Sequence, residues 1–171
     1  MADHAANGRR QERYLPCVLE RLTDRYPRAT KEGREHRTVS LRQYRNSVLR
    51  DLAWLLNCVS HPAQAELDGF RHVRRSVLGY GIHGLSGSVV SRESAAELER
   101  RVRDAIAHYE PRINPGTLSV RVLVTENEGV HEQNTIALEI TGELYAEPVP
   151  EQLYIKTELD LETGECDLTS Q

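Results

Sequence analysis

A chain of 171 residues, 39% apolar and 28% charged, suits one domain with a modest core and much polar surface. Its formal net charge of −4 argues against nucleic acid as a partner. No run reaches the length of a membrane span and the N-terminus lacks the apolar core of a secretory signal, so no membrane insertion and a cytoplasmic location are expected.

Residues 1–12 are polar. Leu15 to Leu22 then reads as a short amphipathic helix with Pro16 in its first turn, and its small apolar face needs something to dock on. The stretch from Pro27 to Arg37 is charged, contains Gly33 and reads as a linker. The expected organisation is therefore a mobile N-terminal segment, 1–37, followed by a single domain, 38–171. Ser40-Leu41-Arg42-Gln43 has the form of a capping box, in which serine and glutamine satisfy free backbone amides. The helix it opens is predicted from about Leu41 to Val59, ended by His61-Pro62. Its stripe is Leu41, Tyr44, Val48, Leu52, Leu55 and Val59, widened by Leu49, Trp54 and Leu56. Such a width suits the centre of the core, with a partner surface as the alternative.

A second short helix is predicted from Phe70 to Leu78, halted by Gly79-Tyr80-Gly81. No strand precedes these glycines and they lack the G-x-G-x-x-G order, so no nucleotide loop is expected. A long helix follows from Ser91, with Leu98, Val102, Ala105, Ile106 and Tyr109 on one stripe. Pro111 disfavours helical backbone at Glu110, so this helix stops at about Tyr109. Beyond it, alternation puts Glu110 and Arg112 on the same side of an extended segment.

Strand period then takes over. Leu118, Val120, Val122 and Val124 alternate with Ser119, Arg121 and Leu123. Residues 125–134 form an acidic loop. Ile136, Leu138, Ile140 and Leu144 mark a second strand, and Leu153, Ile155, Thr157 and Leu159 a third. Pro148 and Pro150 lie between these two, and Leu161 to Glu165 turns into a last short strand through Cys166 and Leu168. Helices first and consecutive strands afterwards predict an α+β fold, N-terminal helices packed on a C-terminal antiparallel sheet.

Spacing supplies little catalytic chemistry. Cys17, Cys58 and Cys166 are far apart and the histidines form no cluster with them, so free thiols are expected, with no metal and no cofactor. Glycosidases pair two facing carboxylates, one of them kept protonated. Glu110 is the one acid in a locally special place, and a neighbouring Arg112 favours its ionised form. Glu110-Pro111-Arg112 reads as a helix stop with a surface ion pair, as a docking or structural pair, or as a catalytic site. The terminal sheet needs an edge, which either accepts a strand from another chain or is protected by Lys156, Glu158 and Asp160.

Four stretches, in order, resemble a known family: Leu19 to Asp24, Val48 to Asn57, Ser76 to Ile82, and Tyr109-Glu110-Pro111-Arg112-Ile113. Gly79 and His83-Gly84 depart from its usual asparagine and proline-aspartate. The chain resembles the TssE family, type VI secretion baseplate subunits related to phage tail wedge proteins labelled lysozyme-like. The resemblance implies a non-enzymatic part of a contractile machine. It implies docking on the TssF and TssG wedge subunits through Glu110, Pro111 and Arg112. It also implies that the terminal sheet starts a sheath of TssB and TssC by strand addition. Peptidoglycan cleavage, suggested by the lysozyme label and Glu110, is the alternative.

Overall fold

The computed structural model describes residues 14–24, 27–28, 38–60, 69–82, 92–123, 135–147, 149–160 and 162–168. Most of the expected linker, the acidic loop, the His61-Pro62 stop and the turn from His83 lie outside them. The chain divides into two compact units, residues 1–47 and 48–171, with the boundary inside a helix.

In the first unit, α1 (Val18–Leu22) starts later than the apolar pattern implies. Cys17 is extended and its N–H donates to the Glu20 carboxylate at 3.1 Å, so Pro16 precedes the helix instead of joining its first turn. Tyr14 and Val39 exchange backbone hydrogen bonds of 2.9 and 2.8 Å, and the Tyr14 ring stacks on Tyr44 at 5.1 Å. The capping box forms as read. Ser40 N–H donates to Gln43 Oε1 at 2.9 Å and Gln43 N–H to Ser40 Oγ at 3.3 Å, starting α2 (Leu41–Asn57).

Two residues of the stripe predicted for this helix, Val59 and Trp54, are exposed. The helix ends at Asn57, whose amide group accepts from Cys166 N–H at 2.8 Å and donates to Cys166 C=O at 3.0 Å. The chain then runs extended, pairing Val59 with Ile82 in parallel and leaving the Val59 side chain 71% exposed. Trp54 is 52% exposed and lies under the Arg50 guanidinium, 5.1 Å from the ring centre. The helix expected from Phe70 to Leu78 is also split, into α3 (Arg71–Arg74) and a 3-10 turn, Val77–Gly79. Ser76 breaks it by capping the second piece, its Oγ accepting from Leu78 N–H at 3.3 Å while donating to Val73 C=O at 2.7 Å.

The second unit is an α+β arrangement in which helices precede the sheet. After α4 (Arg92–Tyr109), strands β1 (Ser119–Leu123), β2 (Thr135–Leu144), β3 (Glu151–Asp160) and β4 (Cys166–Asp167) form one antiparallel sheet in chain order. Alternation holds throughout: Leu153, Ile155, Thr157 and Leu159 of β3 face inward, and Gln152, Tyr154, Lys156 and Glu158 face outward. The inward faces of β1, β2 and β3 share a core with Val48, Leu52, Leu55 and Leu56 of α2 and Leu98, Val102 and Ile106 of α4.

On the exposed face of α4, Glu97 accepts a fork from Arg100 at 2.8 and 2.9 Å and a further bond from Arg101 at 2.8 Å. The Arg100 hydrogen bonds, then those of Arg101, lower the Glu97 pKa from 4.5 to about 2. A depressed carboxylate pKa contributes stability above about 4.5 that is lost as pH falls towards 2. Following the Glu97 carboxyl carbon by NMR during acid titration should give a midpoint well below 4.5; a midpoint at 4.5 sinks the fork as a solution contact.

Candidate docking site

The stop after α4 is built from three consecutive residues and then pinned to the sheet. Glu110 N–H makes the last helical bond, to Ile106 C=O at 2.9 Å, and Pro111 then removes the next donor. Ile113 N–H closes a turn on Glu110 C=O at 3.2 Å. Tyr145 N–H donates to Arg112 C=O and Asn114 N–H to Glu143 C=O, both at 2.8 Å, so the segment continues the β2 ladder beyond β1.

That frame brings Glu110 and Arg112 together as alternation implies, but not at the surface. Glu110 is 3% exposed. Arg112 donates from Nε to Glu110 Oε1 at 2.7 Å and from Nη2 to Oε2 at 2.5 Å, while its backbone N–H reaches Oε1 at 3.1 Å. A fork on one carboxylate fixes the plane of the guanidinium. Arg112 Nη2 also donates to Asp51 Oδ2 at 2.5 Å, and the other Asp51 oxygen accepts from Arg50 Nε and Nη2 at 2.9 and 2.8 Å. Burial opposes the charge on Arg112, but the bonds and charges of Glu110 and then Asp51 outweigh it and raise its pKa above the ordinary arginine value. The side chains of Arg112 and Asp51 keep 19% and 26% of their exposure, and Pro111 is exposed. The face offered outward is therefore proline, arginine and aspartate, with the glutamate behind them.

Asp51 is the residue that spacing did not single out, although a signal existed. It lies three residues after Val48 and four before Leu55, an acid on an otherwise apolar stripe, where an unpaired charge is costly.

Tyrosines pack beside the network. Tyr80 and Tyr109 meet edge to face at 5.3 Å, and Tyr109 Oη donates to Ser76 C=O at 3.0 Å. Burial raises the pKa of both hydroxyls, and at Tyr80 the charges of Cys58, Asp51 and Glu110 add to it. Ser60 N–H to Ile82 C=O at 3.1 Å and Ile82 N–H to Cys58 C=O at 2.8 Å fasten this segment to the end of α2. Three stretches far apart in sequence, Val48 to Asn57, Ser76 to Ile82 and Tyr109 to Ile113, thus converge on one site.

The two edges of the sheet differ. At β1, Val122 N–H points away from β2 and donates to the Glu99 carboxylate of α4 at 2.8 Å, so a helix covers that edge. At β3, Asp160 N–H bonds Glu165 C=O at 2.9 Å, and β4 pairs only with Glu158 and Leu159. By alternation the backbone groups of Gln152, Tyr154 and Lys156 point to the same side as those of Asp160. Among the described residues no strand pairs with them there.

No curated protein matches the chain as a relative. A family model described as Baseplate wedge protein gp25 matches residues 42–149, more than half of the chain, and spans the three converging stretches. The chain belongs to the baseplate wedge protein gp25 family, which includes TssE, and so to the structural proteins of phage-tail-like baseplates that contact other baseplate proteins.

Proposed function

We propose that this protein is the TssE-type subunit of a type VI secretion baseplate, a cytoplasmic assembly at the bacterial inner membrane. It docks on the TssF and TssG wedge through the face carrying Glu110, Pro111 and Arg112, and starts the TssB and TssC sheath by strand addition at β3. The observation that carries docking is the network in which buried Glu110 and half-buried Asp51 hold the Arg112 guanidinium beside exposed Pro111. A cation fixed before binding loses little conformational freedom on docking. Support for β3 comes from the contrast with β1, where Glu99 already takes the outward amide. Both carboxylates are engaged by guanidinium groups within the chain, which supports a structural over an enzymatic role for them.

One co-expression experiment tests both halves. With the neighbouring TssF-like and TssG-like subunits, light scattering should show wild type in the complex and folded Glu110→Ala, Arg112→Ala outside it. Loss of one side of a desolvated interfacial pair costs about 2–5 kcal/mol of affinity. Wild-type assembly by that variant overturns the docking role. Tyr154→Pro removes an outward amide while proline remains tolerable on an edge. It should join the wedge yet start no sheath, whereas Tyr154→Thr does both. Normal sheath growth on Tyr154→Pro rules out β3.

A further inference from the structure

A second surface lies on the two turns before Tyr80. Phe70, Val77 and Leu78 are 63%, 86% and 60% exposed, and Val73 is exposed with them. Single exposed apolar residues are ordinary; four within nine residues form a patch that calls for a cover. The frame beneath is fixed. Ser76 Oγ ties α3 to the 3-10 turn, Tyr109 Oη holds Ser76 C=O at 3.0 Å, and His108 Nε2 lies 2.9 Å from Arg75 C=O. The apolar side chains are presented from a pinned backbone.

The charge of this stretch is opposite to that of the chain. Between Gly69 and Ile82 stand Arg71, His72, Arg74 and Arg75, with no aspartate or glutamate, in a protein whose net charge is −4. Arg75 and His72 are exposed at the patch. We propose that Phe70, Val73, Val77 and Leu78 form a docking surface for an acidic, amphipathic segment of another protein of the assembly. Its apolar side chains cover the patch and its carboxylates meet Arg75. Complementary charge selects the partner and speeds encounter, and the apolar contact holds it. A lipid surface fits less well, because interfacial binding uses the long apolar face of an amphipathic helix, and here the patch sits on a four-residue helix and one 3-10 turn. The surface uses side chains other than Glu110 and Arg112, and it rests on the baseplate reading only for the assembly in which it is tested.

The test places photoreactive benzoylphenylalanine at Val77 in the full chain, co-expressed with the baseplate and sheath proteins encoded beside it. Because Val77 is so exposed, the fold should tolerate the change, which a thermal melt checks. The expected adduct is a peptide of another protein carrying apolar residues at helical or strand spacing together with several carboxylates. Arg75→Glu should lower its yield about tenfold through like-charge repulsion. An adduct with phospholipid, with a second copy of this chain, or with a peptide lacking acids overturns the proposal. Assembly without any adduct, or an unchanged yield in Arg75→Glu, overturns it too. The same preparation carrying Glu110→Ala, Arg112→Ala separates the two sites: full assembly with the adduct retained removes that pair from docking and leaves this surface standing.

Discussion

Arg112→Ala is expected to cost about 3–5 kcal/mol of folding free energy, because it leaves a buried carboxylate without its cation. Glu110 is 3% exposed, and its remaining donor from this contact is the backbone N–H of residue 112, at 3.1 Å. Glu110→Ala should cost less, about 1–3 kcal/mol, since the guanidinium keeps Asp51 and some water. The double variant should then be milder than the sum of the singles, with a coupling of roughly 1–3 kcal/mol. Urea unfolding of all four proteins measures the cycle. Additive singles below about 1 kcal/mol each would mean that the network contributes nothing to the fold. The result also bears on how docking is tested, since removing both charges together leaves no buried Glu110 carboxylate without its cation.

Gly81→Ala is expected to cost about 3 kcal/mol or more from strain and overlap combined. Gly81 has φ +109°, and a Cβ there meets Cys58 C=O at 2.2 Å, on the very carbonyl that accepts from Ile82 N–H. Backbone lies on both sides of the overlap, so no side chain can yield. Gly164 has φ +76° in the β3–β4 turn but nothing within 4 Å of a Cβ. Gly164→Ala should therefore show conformational strain alone, about 1 kcal/mol. Thermal melts of the two variants separate overlap from strain; equal losses would show that the Cys58 contact is not rigid.

Periodicity and punctuation were enough to place most elements. The capping box at Ser40 and Gln43, the stop at Tyr109 before Pro111 and the inward faces of β2 and β3 are all local, decided within a few residues by sterics and burial. Where local rules competed, the sequence misled: Ser76 has both a helical context and a capping hydroxyl, and the cap won. Val59 continued a helical stripe, but pairing with Ile82 pulled it out of the helix. Trp54 was counted with the core because a helical wheel shows which residues share a face, not how wide the cover over that face is.

By itself the sequence determined the α+β order, the helix stop and the presence of Glu110 and Arg112 on one side of it, since each depends on neighbours in the chain. Tertiary structure alone decided that Glu110 is buried and that Asp51, 61 positions away from Arg112, completes the network. It also decided that Glu99 covers one sheet edge while the outer side of β3, away from β2, has no partner strand along its first half among the described residues. These are contacts between distant segments, and the free energy that selects them comes from burial and charge pairing that no local pattern encodes.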